Sequence, residues 1–131
     1  MLSGIVIDPH GGIANVWCSF RSEGQRQEWM RGHIDCERFE CVSLPESIDV
    51  WVDEEFLYNG APVNDELTRI VGRHQPSTPI RGNGLILGVD PATGNTVSLT
   101  LDQQASVIAW WRTFTTGGNN PEALRPRMAL V

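Results

Sequence analysis

Lysine is absent from the sequence: all ten basic residues are arginine. A codon bias of a GC-rich genome would produce this, because arginine and lysine exchange freely on solvated faces. Alternatively, several arginines are planar forks kept for phosphate or carboxylate. The two readings coexist, since bias sets the total and a site sets only a few positions. Positive charge is also scarce overall. Sixteen acidic residues leave a net charge of −6 at pH 7, which argues against a general nucleic-acid binder, whose basic surface must release counterions from phosphate. Cysteine occurs at Cys18, Cys36 and Cys41 only, an odd count without C-x-x-C spacing, so a disulfide framework is not indicated and a reducing cytoplasm is expected. No N-terminal run joins basic residues, an apolar core and a cleavage site. No apolar stretch reaches the roughly 18 residues of a membrane span, so no membrane association is expected.

What is present reads as one small α+β domain over residues 1–114, followed by residues 115–131 as a flexible or subunit-docking tail ending in Met128, Leu130 and Val131. The 131 residues are enough to bury a core without metal or disulfide staples. The spacing predicts a small, mostly antiparallel sheet of about five to six strands with two to three helices. Residues 4–8 and 13–20 read as two strands joined by a Pro/Gly turn. Ser22 with Gln25 has the spacing of a capping box, so a helix should run from there to about Cys36, with Trp29, Met30, His33 and Ile34 on one face. Residues 39–44 and 48–52 are further strands. Ile48, Val50 and Val52 share one face of the second, and Trp51 points the other way, to be covered by another element or another subunit.

The acidic run at residues 53–55 reads as a solvated strand end rather than a metal site, because consecutive carboxylates on a strand cannot all face one ion. Asn64, Asp65 and Glu66 open a second helix that carries Leu67, Ile70 and Val71 inward and Arg69 and Arg73 outward. Residues 73–79 are polar and proline-punctuated, the pattern of a mobile loop. The clearest local structure lies at residues 80–100: a glycine-framed buried strand through Leu85, Ile86, Leu87 and Val89, a turn at residues 90–95, a short strand from Thr96, and a cap at Thr100. Thr100 with Gln103 repeats the capping-box spacing. Its helix places Leu101, Ala105, Ile108 and Trp111 on one stripe, widened by Val107, Trp110 and Phe114. So broad an apolar face points to a homo-oligomer.

No constellation of catalytic residues emerges. Asp8, His10 and His74 are the groups a small nucleotide hydrolase would have to use. Nucleophilic catalysis would need Cys18, Cys36 or Cys41 beside a histidine, but His33 and Cys36, one turn apart, read better as core residues. A zinc site from His33, Cys36 and Cys41 lacks a recognised spacing, and no cofactor or metal is expected. Arg81, Gly82 and Asn83, with Gly84, are the best anion contact: glycines let backbone N–H groups approach a phosphate, and the arginine supplies a bidentate cation. The lysine and spacing of a phosphate-binding loop are missing. A nucleotide base could stack on Trp17, Trp51 or Trp110.

The order of motifs, I-V-I-D-P, F-E-C-V-S-L-P, I-D-V-W-V-D-E-E, N-G-A-P-V-N, G-L-I-L-G-V-D and S-L-T-L-D-Q, resembles a family of phage and mobile-element proteins catalogued as domain of unknown function 3846. The resemblance covers about residues 4–112. It implies an α+β fold and a mobile-element origin, and it carries over no catalytic residues. The expectation that follows is a non-enzymatic phage accessory protein acting by binding. It would be a counter-defence protein sequestering a nucleotide signal, with Arg81, Gly82, Asn83, Arg69, Arg73 and Trp110 at the ligand. The alternatives are an acidic inhibitor docking on a host defence protein, or a small nucleotide hydrolase.

Overall fold

A computed structural model describes residues 1–115, apart from Leu57 and Asn59. The tail after residue 115 lies outside the described residues. Two hairpins and a central strand build one antiparallel sheet. β1 (Leu2–Ile7) pairs with β2 (Ile13–Cys18), β3 (Phe39–Leu44) pairs with β4 (Ile48–Asp53), and β5 (Gly84–Val89) lies between β1 and β4. The order is therefore β2-β1-β5-β4-β3, with the short β6 (Thr96–Val97) on the far end of β5. Helix α1 (Glu23–Ile34) covers one face, and α2 (Asp65–His74) and α3 (Leu101–Thr115) cover the other. The α+β architecture read from the sequence is the architecture found.

β5 is central because its neighbours bury it from both sides: Leu85 and Leu87 face α1, and Ile86 faces α2 and α3. Period two sends alternate side chains to opposite faces, so a strand covered on both loses its polar positions. The core toward α2 and α3 is built from Ile5, Ile7, Val50, Val52, Leu67, Ile70, Val107 and Trp111. The core toward α1 holds Leu2, Met30, Ile34, Leu85 and Leu87. Trp51 belongs to this second core, its ring edge-on to Phe39 at 5.5 Å, so it is covered within the chain and needs no other subunit.

Both caps form, the Thr100 pair as a full capping box and the Ser22 pair as half of one. Ser22 Oγ accepts from the Gln25 N–H at 3.2 Å, while the Gln25 side chain reaches back one residue further than expected, to the Arg21 N–H at 2.7 Å. The Thr100 and Gln103 pair is reciprocal: each side chain accepts from the other's N–H, at 3.1 and 2.9 Å. Gln103 Nε2 also donates to the carbonyls of Glu46 and Ser47, both at positive φ in the β3–β4 turn. This second task rotates α3. Gln103 faces the sheet, the buried stripe runs through Val107 and Trp111, and Leu101, placed on that stripe by periodicity, is 82% exposed. Ala105 is exposed as well. No helix among the described residues is long and apolar enough to cross a membrane.

Candidate functional site

The residues nominated for phosphate sit where β5 begins, and each is tied to the protein by at least one hydrogen bond. Arg81 donates through Nη1 to the Ala61 carbonyl at 3.0 Å. The Gly82 N–H donates to the Pro62 carbonyl at 3.0 Å, with Gly82 at φ +81°, and the Asn83 amide donates to the His33 carbonyl at the end of α1 at 2.9 Å. These bonds join β5 to the loop before α2 and to α1. Buried Asn64 completes the junction. Its Nδ2 donates to the carbonyls of Ile7 and Gly82 at 3.0 and 2.9 Å, and its Oδ1 caps α2 at the Leu67 N–H. A cleft of about 140 Å³ beside the junction is walled by Gly82, Asn83, Ile34 and Asp35. The charged side chain on that wall is a carboxylate. The first turn of α2 adds Asp65 and Glu66, which already answer the positive end of the helix.

Arg69 and Arg73 lie exposed on α2, as the periodicity required. Trp110 is half-buried on α3, its ring against His74 at 4.8 Å between centroids. The buried Nε2 of His74 has no hydrogen-bond partner among the described residues. Asp8 closes the β1–β2 turn, its Oδ1 accepting from the N–H groups of His10 and Gly12 at 2.8 and 3.0 Å. The turn is pinned to the core by buried Trp111, whose Nε1 donates to the Gly11 carbonyl.

Two thiols are far from their reactive form. Burial, with a smaller contribution from the Asp53 carboxylate, pushes Cys36 up to about 11. Cys41 is exposed at the edge strand, yet local desolvation and the neighbouring Asp49 carboxylate push its thiol up to about 12. Both therefore hold their protons at neutral pH, and a thiol in that state is a poor nucleophile. His33 is lowered below 6.5 by burial, so it is neutral at pH 7. Among the described residues, no group of three or more His, Cys, Asp or Glu side chains is placed to hold a metal ion.

A wider concavity lies elsewhere, where β1 begins. It measures about 420 Å³ and is lined by Met1, Ser3, Asn15, Val16, Trp17 and Gln104, together with Gly4. Trp17 stands at its side with 67% of its surface exposed, and Met1 with 82%. The walls are mainly apolar and, among the described residues, contain no arginine. The other tryptophans are built into packing: Trp29 against Phe20 and His33, Trp51 against Phe39, Trp110 against His74, and Trp111 in the core. Of the three tryptophans proposed for stacking, Trp17 is thus the exposed one. Its alternation with Ile13 and Asn15 marks a strand, but only the strand order shows that β2 is an edge.

A family model described as domain of unknown function (DUF3846) matches residues 2–112. The chain belongs to the DUF3846 family. No curated protein and no solved structure matches it significantly. In this DUF3846 protein the matched segment spans the whole sheet and nearly all of α3.

Proposed function

We propose that this DUF3846 protein is a non-catalytic binding protein that docks on another protein through the apolar concavity beside Trp17, and that it works as a homo-oligomer. The observation that carries the reading is a tryptophan two-thirds exposed at the edge of a concavity of about 420 Å³ with no cation among the described residues of its walls. Large exposed aromatic groups beside apolar pockets are the usual anchors of protein interfaces. The net charge of −6 favours a basic partner by long-range attraction. A host factor attacked by a phage or other mobile element suits this chemistry, in line with the family resemblance.

A sequestered nucleotide fits less well. It needs a stacking ring and a cation for phosphate within one ligand's reach. Trp17 pairs with Ser3, whereas Arg81 precedes Gly84, which pairs with Ile7. The two pairings lie four positions apart on β1, about 13 Å along the strand.

Affinity capture from a host lysate with wild-type and Trp17→Ala baits tests the docking. A protein held by the wild type and lost from the variant, with both baits melting alike, is the expected outcome. Melting the pure protein with cyclic and adenine nucleotides tests the competing reading, since a ligand at a hundred times its Kd adds about 2.7 kcal/mol. No shift is expected; a shift abolished by Arg81→Ala would replace docking with nucleotide binding.

A further inference from the structure

Among the described residues the backbone of β2 is an open edge, and its register defines which groups it offers. The Asp8 N–H donates to the Gly12 carbonyl at 3.0 Å, so hydrogen-bonded pairs along this hairpin fall at even positions. The other side of β1 agrees: the Ser3 carbonyl accepts from the Leu99 N–H, turning Ser3 away from its partner Trp17. Ala14, Val16 and Cys18 therefore bond to β1. Ile13, Asn15 and Trp17 direct their N–H and C=O groups away from the sheet, and their side chains share one face.

Edge strands are normally blunted by charge, proline or cover. β3, at the other edge, carries Glu40 and is preceded by Glu37 and Arg38. β2 reads I-A-N-V-W-C, with no charge and no proline, and Ala14, Asn15 and Trp17 are exposed. An acidic protein with one uncharged edge has left that edge free of like-charge repulsion.

We propose that β2 pairs antiparallel with β2 of a second copy about a two-fold axis at Asn15, joining the two sheets edge to edge. This rests on the oligomeric part of the reading above and names its surface. The outward set is apolar, polar, apolar about Asn15, which makes it self-complementary under a two-fold operation. Asn15 meets Asn15, and Ile13 of each copy lies across from Trp17 of the other, an aromatic and β-branched cross-strand pair of the stabilising kind. On the opposite face Ala14 meets Val16. The ends also match in charge. The register carries the end of one strand, followed by Arg21, alongside the other copy's turn, which holds Asp8.

Sedimentation of the pure full-length chain over a range of concentrations tests this. The expected mass at high concentration is twice the 14.5 kDa of the chain. Asn15→Asp sets two carboxylates at the axis and should raise the dimer Kd by about tenfold or more. Asn15→Pro removes an outward N–H that β1 does not use, so it should give a single-chain mass without unfolding the hairpin. A single-chain mass for the wild type at every concentration overturns the pairing, as does an undiminished dimer in both variants. Because no partner protein is present, either result leaves the capture experiment with Trp17→Ala to be decided separately.

Discussion

Asn64 shows how one side chain can hold three elements while looking, in the sequence, like a helix cap alone. Capping of α2 through the Leu67 N–H is legible locally; the bonds from Nδ2 to Ile7 and Gly82 span 57 and 18 residues and are not. Asn64→Asp keeps the shape and the cap but aims a carboxylate at two carbonyls, so denaturant unfolding should show a loss of roughly 3 kcal/mol or more. Similar non-local demands fall on Arg81 and Asn83, whose neighbouring glycines look like a phosphate cradle in isolation. Trp17 is the reverse case, a residue that any strand would bury were it not at an edge. For the thiols, half-buried Cys36 should be alkylated by iodoacetamide at pH 8 far more slowly than glutathione, because burial holds it well above the usual thiol range. Peptide mapping by mass spectrometry reads the rates, and modification as fast as glutathione would refute the assignment.

At the level of elements, caps and buried strands were legible because their causes are local. The Ser22 and Thr100 caps start their helices where the spacing placed them, and the unbroken apolar run of β5 announced burial on both faces. The rotation of α3 was not legible, because Gln103 is drawn to the β3–β4 turn by Glu46 and Ser47, which lie 57 and 56 residues away. Gln103→Ala would remove half the capping box and both turn contacts together. A loss of about 2 kcal/mol is expected by denaturant unfolding, against about 1 kcal/mol for a cap alone. Gly4 in β1 meets a close approach: a Cβ there would overlap the Ile86 carbonyl and the Leu87 side chain, both fixed in the central strand. Gly4→Ala should therefore cost about 2 kcal/mol by the same measurement, whereas the open, exposed Gly32 on α1 should accept alanine with a small gain.

For the whole molecule, the shifted groups bound a range of pH. Burial lowers His33 below 6.5, so the unfolded chain takes up that proton first and stability falls as pH drops through 6.5 toward the lower folded value. Cys36 and Cys41 are raised above 9.0, so the unfolded chain releases those protons first and stability falls as pH rises from 9.0 through about 11 and 12. Thermal melting should thus show a plateau between about pH 6.5 and 9. Fold class, helix starts and the covered sheet could be read from periodicity; the candidate site could not, because it depends on which strand ends the sheet. The most direct test of that site is the affinity of the protein retained from lysate for wild type, Trp17→Ala and Arg81→Ala, with melting curves as controls. Docking beside Trp17 predicts a loss of about 2 kcal/mol or more, near thirtyfold in Kd, for Trp17→Ala and no change for Arg81→Ala. Unchanged affinity for Trp17→Ala with a loss confined to Arg81→Ala would contradict it.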